Sequence, residues 1–344
     1  MSNKRKKQVT IYDLATELNV APSTVSRALK DHYSIGKATI TAVKELARKR
    51  GYRTNILASS LRTRESNTIG VLVPWINRPF ISSLIHGVEA AARESGYNVI
   101  ISQSQDSYDH EVANAKTLFS SRIHALVVSL AMQTTDYEHL EEISSSGTPV
   151  IFVDRVPSTL DGHRVVIDNV RSARLATQHL IDQGCRRIAL FKGASHQIIY
   201  HERECGYREA LQANDLRVDD ELILTSDHLT LEEGNRLARQ LLQSPHPPDG
   251  IFSTNDNAAV GAIKCARELG VAVPEQLAII GFNNDPVCEI IDPPLSSVTH
   301  PAVEMGRMAL QQALRVANAK MPVTERRIEL ETQLVPRASS LRRR

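Results

Sequence analysis

Cysteine is scarce in this 344-residue chain, and the four that occur, Cys185, Cys205, Cys265 and Cys288, stand far apart with no CxxC pair. That argues against a zinc site and against a disulfide framework, and makes buried, reduced thiols the default for all four. Long apolar runs are missing too. None approaches the ~20 residues of a membrane span. The basic N-terminus is followed by amphipathic rather than continuous apolar sequence, so neither anchor nor signal peptide is expected and the chain is placed in the cytoplasm. Catalytic signatures are equally wanting: no GxGxxG follows the first strand-like run, and there is no Walker sequence and no GxSxG. His179, His196 and His201 lack metal spacing. A doubly wound enzyme would need some such constellation, so no catalytic residue, cofactor or metal is expected. Leu341-Arg342-Arg343-Arg344 carries no apolar heptads, and no coiled-coil association is expected there.

What the chain does have is apolar content of 42%, enough for two or three compact units with sizeable cores. It also has a segregated charge. Residues 1 to 64 hold 14 Lys and Arg against 4 Asp and Glu, while the remainder holds 27 against 35, a split hidden by the net charge of +2. A small basic module beside a mildly acidic body is the footprint of phosphate binding, whereas a merely solvated face would not segregate its sign by domain. Lys4, Arg5, Lys6 and Lys7 form an arm that could touch phosphate or stay disordered in the free protein.

The basic module reads as a helix-turn-helix. Thr10 can cap a first helix with Asp13 three residues on, and Ile11, Leu14, Ala15 and Leu18 then share one face. Asn19-Val20-Ala21 breaks the pattern, and Pro22 restarts it where a missing backbone donor costs little. The second helix, about Pro22 to Leu29, turns Val25, Ala28 and Leu29 inward and leaves Ser23, Thr24, Ser26 and Arg27 outward, where a recognition helix meets base edges. A third helix, Lys37 to Arg50, brings Ile40, Val43, Leu46 and Ala47 before Gly51 stops it. The alternative is an ordinary pair of short helices in some helical domain.

From Asn67 the texture changes to short apolar runs alternating with helical patterns. Thr68 to Val73, Tyr97 to Ser102, His124 to Ser129 and Pro149 to Val153 read as strands buried on both faces. Phe80 to Ser95 and Glu111 to Ser120 read as helices between them. A second series has strands at Arg187 to Phe191, Leu222 to Leu224, Gly250 to Ser253 and Leu277 to Phe282. Its helices lie near Arg171 to Gln183, Arg203 to Asn214, Leu231 to Gln243 and Ala258 to Leu269. Right-handed crossovers would wind each series into an open sheet, giving two doubly wound lobes with a cleft between them. Ligands sit beyond the carboxyl ends of such strands. Phe80, Asp154-Arg155, Arg203, Asn255-Asp256, Asn283-Asn284 and His300 recur at those positions, and their carboxylates, amides, guanidinium tips and one aromatic face suit a hydroxyl-rich ligand. Each could instead be a loop polar group bonded to nearby backbone, and Asp154-Arg155 an internal ion pair.

Across nearly the whole chain the residues carry a resemblance. Val9-Thr10-Ile11-Tyr12-Asp13-Leu14-Ala15 with Thr24-Val25-Ser26-Arg27-Ala28-Leu29 is similar to the headpiece signature of the lactose-repressor (LacI/GalR) family of bacterial transcription regulators. Gly51-Tyr52 with Asn55 to Leu61 resembles its hinge. Pro79-Phe80, Asp154-Arg155, Gly184-Cys185-Arg186-Arg187-Ile188-Ala189, Asn255-Asp256 and Pro293-Pro294-Leu295-Ser296-Ser297-Val298 resemble its body. The resemblance implies an all-α helix-turn-helix headpiece (residues 1–54), a hinge helix and linker (55–66) and an α/β periplasmic-binding-protein-like effector domain (67–344). Its first lobe would span about 67–165 plus 298–325, and its second about 166–297 plus 326–338. It further implies a homodimer, with no membrane partner, on a pseudo-palindromic operator in double-stranded DNA, controlled by a sugar-like effector. Pro22, Ser23 and Arg27 would read bases, and Leu61 would wedge into a minor-groove step. Arg62 and Arg64 would meet phosphates, and Thr10, Tyr12, Thr24, Ser26, Lys30, Thr39, Tyr52, Asn55 and Ala58 complete the expected DNA set. Asn55 to Arg64 is too short for a stable free helix, so it would order on DNA or where dimer contacts hold two copies together. The effector would meet Phe80, Asp154, Arg155, Arg203, Asn255, Asp256, Asn283 and His300.

Several positions depart from the family pattern. Ala21 replaces a common capping serine, Pro22 offers apolar contact alone, Lys30 stands where asparagine is frequent, and Thr54 where a proline usually stiffens the hinge entry. Asn283 replaces an aspartate, exchanging a charged acceptor for an amide that also donates, which leaves room for an acidic or modified sugar. A transport-type sugar-binding protein or a doubly wound enzyme would share the body, but neither needs the basic headpiece.

Overall fold

The structure, a computed structural model, describes residues 9–52 and 67–342. The chain divides into two compact units, residues 1–65 and 66–344. The first holds α1 (Ile11–Glu17), α2 (Pro22–Leu29) and α3 (Lys37–Arg50). Thr10 and Asp13 close a reciprocal capping box at the start of α1, with Thr10 N donating to the Asp13 carboxylate at 2.7 Å. Asn19 turns the chain with φ at 49°, and Pro22 opens α2 where no amide is missed. Gly51, in the left-handed region at 63°, ends α3. Leu14, Ala15, Val25, Ala28, Val43 and Ala47 are buried together, with Ile11, Leu18, Leu29, Ile40 and Leu46 half-buried around them.

The second unit holds two six-stranded sheets. In chain order its elements begin β1 (Thr68–Val73), α4 (Pro79–Glu94), β2 (Asn98–Gln103), α5 (Tyr108–Ser120), β3 (Ala125–Val128) and α6 (Glu138–Ser145). They continue β4 (Val150–Val153), β5 (His163–Ile167), α7 (Asn169–Asp182), β6 (Ile188–Lys192), α8 (Ile198–Ala213), β7 (Ile223–Thr225), α9 (Leu231–Leu242), β8 (Gly250–Ser253) and α10 (Asp256–Glu268). The last are β9 (Ala278–Asn283), α11 (Val287–Ile290), β10 (Ser296–Thr299), α12 (Ala302–Ala317), β11 (Arg327–Leu330) and β12 (Leu334–Val335). The first sheet runs β11-β5-β4-β3-β1-β2, all parallel. The second runs β12-β10-β9-β8-β6-β7, parallel except for β12 on β10. Central strands such as β3 (ALVV) and β4 (VIFV) are buried throughout, as a sheet covered on both faces requires. Helices pack in close pairs, and α4 meets α12 where Gly87 and Gly306 face backbone. A Cβ on either glycine would stand 2.0–2.1 Å from a carbonyl oxygen of the opposite helix.

Three expectations need correction. The last crossing comes later than the sequence suggests, because Arg327–Leu330 pairs with β5 of the first sheet and Leu334–Val335 alone returns to the second. Residues 298–299, expected in the first lobe, end β10 of the second sheet. The strand expected at Tyr97 to Ser102 is not buried on both faces: as β2 it forms the sheet's edge, with Ile100 and Ile101 more than two-fifths exposed.

Candidate functional site

In the first unit, Ser23 and Arg27 stand exposed one turn apart on α2, with exposed Lys30 capping its end. Pro22, Thr24 and Ser26 are half-buried beside them. Tyr12 is 68% exposed on α1, while the Thr10 hydroxyl is engaged with Asp13 at 2.7 Å. Thr39 is half-buried at the start of α3, and Tyr52 packs against the small core. Asn55, Ala58, Leu61, Arg62 and Arg64, together with Lys4 to Lys7 and Thr54, lie outside the described residues. Sequence reasoning passed over Tyr33, which is 93% exposed just beyond α2 and stacked on His32 at 4.4 Å.

In the second unit a cleft opens at the carboxyl ends of both sheets, holding about 680 Å³ between atoms, part of it open to solvent. Its wall includes Trp75 and Phe80 after β1, Asp106 after β2, Asp154 and Arg155 after β4, Tyr200 and Arg203 on α8, and Asn283 at the end of β9. Backbone strain gathers here. Asp106 (62°), Asp154 (57°) and Asn283 (111°) all take positive φ without being glycine, a conformation that persists where the surroundings impose it and that clusters at binding sites.

Six of the eight expected effector residues line this cleft: Phe80, Asp154, Arg155, Arg203, Asn255 and Asn283. Two do not reach its wall. Asp256 opens α10 fully buried, its carboxylate accepting from Ser297 Oγ at 2.6 Å and Asp285 N at 2.7 Å, so its hydrogen bonds are spent inside the lobe. His300 is buried behind the aromatic wall, stacked on Phe80 at 4.1 Å and 3.3 Å from Asn283 Oδ1. Asn255 borders the cleft but its amide caps α10, accepting from Ala258 N and donating to Leu229 O. Trp75, Arg78, Asp106, Tyr200, His228, Thr254, Asn257 and Asp285 also line the cleft and went unnamed, although the same strand-end rule reaches Trp75, Asp106 and Thr254.

Electrostatics divides the wall. Arg155 pairs with Asp106 at 2.5 Å rather than with its neighbour Asp154. Burial alone would raise the Asp106 carboxyl, but Arg155 and donors from Met132 N and Trp75 hold it below its ordinary value. For Asp154 burial wins over Arg155 and Arg203, and its carboxyl is raised. Burial pushes Asp285 up to about 6 against the pull of Arg78. Burial, then the charge of Asp285, pushes Asp256 up to about 7. His300 is held well below its usual value by burial and by Arg203. Arg203, almost fully buried, donates from Nε to Asn169 Oδ1 at 3.0 Å and from Nη1 to Thr254 O at 2.9 Å, and lies 3.7 Å above the Phe282 ring. The wall therefore offers guanidinium donors, carboxylate acceptors, an amide and aromatic faces, which together can grip a compact polyhydroxylated molecule. Among the described residues no cluster of three His, Cys, Asp or Glu could hold a metal ion.

A three-helix unit with an exposed polar recognition face, followed by a two-lobed binding-protein body, defines a ligand-binding DNA regulator by class. Comparison with known proteins agrees. A family profile described as bacterial regulatory proteins, lacI family, matches residues 10–55, and one described as periplasmic binding protein-like domain matches residues 177–340. Catabolite control protein A of Priestia megaterium is 32% identical over 311 residues, covering 90% of this chain and 93% of that protein. The ribose operon repressor of Bacillus subtilis is 31% identical over 332 residues, covering 96% and 98%. A solved complex of the transcriptional regulator CelR with cellobiose, 28% identical, covers 96% of this chain and all of its own with a TM-score of 0.72. The chain belongs to the lacI family of bacterial regulatory proteins, a family of DNA-binding transcription regulators rather than enzymes.

Proposed function

We propose that this chain represses transcription as a homodimer on a pseudo-palindromic operator in the cytoplasm, and that a small carbohydrate-type effector in the cleft sets its operator affinity. The headpiece (1–54) reads DNA, with Ser23 and Arg27 as the hydrogen-bonding base readers and Pro22 as an apolar contact. Thr10, Tyr12, Thr24, Ser26, Lys30, Thr39 and Tyr52 touch backbone or flanking edges. The hinge (55–66) supplies Asn55, Ala58, Leu61 and Arg62. The effector meets Phe80, Asp154, Arg155, Arg203 and Asn283, with Asn255, Asp256 and His300 holding that wall in place. The observation that carries the reading is the pairing of an exposed Ser23–Arg27 face with a cleft whose buried wall is built from polar strand ends. The ribose operon repressor and the CelR–cellobiose complex support a sugar as the class of effector. Closure of the lobes changes operator affinity by the effector's differential affinity for the two arrangements.

The test is a filter-binding assay with genomic fragments at graded salt, followed by the same assay on Arg27→Ala. Specific binding that weakens with salt is expected, and Arg27→Ala should relax preference at one base position by about 1–3 kcal/mol. A uniform loss over all sequences would make Arg27 a phosphate contact, and no specific binding at all would sink the reading.

A further inference from the structure

The chain passes between the two sheets after β5, after β10 and between β11 and β12, so its crossings sit at the β5–β11 end of one sheet and the β10–β12 end of the other. Away from them, two loops meet, one from each lobe. The first follows β3 and contains Ala131 to Thr134, and the second follows β6 and contains His196 and Gln197. Gln197 is 2% exposed, and its amide donates to Ala131 O at 2.9 Å with Met132 O and Thr134 O at 3.3 and 3.4 Å. His196 Nε2 donates to Met132 O at 2.6 Å. Met132, a first-lobe residue, is buried among Phe191, Ile199 and Tyr200 of the second lobe. The lobes are therefore fastened by a polar clasp and an apolar plug at the same loop.

That loop is also tied to the cleft wall. Glu111 fixes it within the first lobe, accepting from Ala131 N at 2.5 Å and from Thr134 Oγ1 at 2.9 Å. Asp106 Oδ1 accepts from Met132 N at 2.9 Å. The other donors to Asp106 come from the cleft wall itself, Trp75 Nε1 at 2.7 Å and Arg155 Nη1 at 2.5 Å. A molecule that draws Arg155 or the indole N–H toward itself leaves Asp106 to Met132, whereas one that merely fills space does not.

We infer that Gln197 and Asp106 are positioning residues for the regulatory response: Gln197 clasps the lobes shut, and Asp106 couples the cleft wall to that clasp. The second half rests on the cleft being the effector site, and the first does not. Freeing one lobe from the other costs the Gln197 and His196 bonds and exposes Met132, so the clasp biases a two-state closure.

The test uses the full chain without added ligand, in the variants Gln197→Ala, Gln197→Met and Asp106→Asn. Methionine keeps the length and bulk of Gln197 and loses its donor, which separates hydrogen bonding from packing. Amide exchange of the segment 130–134 should rise about tenfold in both Gln197 variants, as loss of one buried hydrogen bond implies. Trp75 is the chain's one tryptophan, so acrylamide quenching of its fluorescence reports the cleft wall alone, and quenching should rise in all three variants. Exchange left unchanged in both Gln197 variants overturns the clasp. Raised exchange with Trp75 quenching at the wild-type value overturns the coupling through Asp106. Because no ligand is present, a later failure to find an effector would count against the proposed function and leave the clasp standing.

Discussion

The headpiece and the cleft solve recognition in opposite ways. On α2 the expected readers Ser23 and Arg27 are exposed, held out by a core of six buried apolar side chains that they do not join. On and behind the cleft wall, Arg203, Asp256 and His300 are each less than a tenth exposed and spend hydrogen bonds or ring contacts on their own protein. A surface that waits for a rigid external partner such as duplex DNA can keep its polar tips in water until contact. A site that must enclose a small molecule has to hold its polar groups in place without solvent, and it does so by bonding them to one another. It follows that recognition and stability separate in the headpiece and coincide in the body.

Arg203→Ala should break that comparison most sharply if it is wrong. The change strips Asn169 Oδ1 and Thr254 O of a donor, removes the cation over Phe282 and leaves Asp154 without one of its two nearby guanidinium groups. Loss of one member of a buried charged network costs about 3–5 kcal/mol. The body should therefore melt well below the wild type by calorimetry, while amide exchange within α1 to α3 stays unchanged. A body that melts at its normal temperature would show that cleft residues can be lost as freely as Arg27.

A smaller effect, of opposite sign, should come from Asp285. Its carboxyl is raised to about 6 in the fold against an ordinary 3.8, so the folded state holds that proton more tightly than the unfolded chain. The stability this brings is present below about pH 4 and lost as pH rises through about 6. Asp256, raised to about 7 partly by the charge of Asp285, runs the same way. His300, held well below its usual value, runs the other way, losing stability as pH falls below its unfolded range. Asp285→Asn removes the first contribution and relaxes the second. Relative to wild type the variant should gain roughly 2 kcal/mol between pH 4.5 and pH 7.5, read as a widening gap in thermal midpoints. A gap that does not move with pH would mean that the ionised carboxylate is well accommodated, and that this part of the wall is not strained for binding.

The same contrast explains what could be read from the residues alone. Helix starts, the Pro22 restart and the Gly51 stop are local rules, and α1 to α3 follow them residue by residue. Strands with continuous apolar runs, such as β3 and β4, were equally legible. β11 alternates exposed and half-buried residues over four positions and β12 has two residues, so neither carries a run, and the last crossing was misplaced as a result. Within the cleft, the strand-end rule finds neighbourhoods and does not choose between neighbours. Asn255 and Asp256 are adjacent, and the turn at the start of α10 sends one to the cleft border and the other inward. Asp106 was passed over because it stands beyond an edge strand whose end carries no motif, and its importance comes from partners at Trp75, Met132 and Arg155 that are distant in sequence.

The smallest expected effect tests the headpiece half of the contrast. Ala21 occupies the N-cap of α2 with φ −69° and ψ 146°, a backbone suited to capping, but has no side chain to offer. Pro22 brings no amide, and the donor a side-chain cap would engage, that of Thr24 at the third helical position, turns back on Ala21 O at 2.9 Å instead. Ala21→Ser places a hydroxyl oxygen within reach of it and should stabilise the helix by about 1 kcal/mol, seen as roughly fivefold slower amide exchange at Thr24 and Val25. The base preference we assign to Ser23 and Arg27 should stay as it was, because neither side chain takes part in the cap. If the preference shifts along with the stability, then the start of α2 is coupled to reading, and recognition in the headpiece is less separable from its fold than the exposed positions of Ser23 and Arg27 imply.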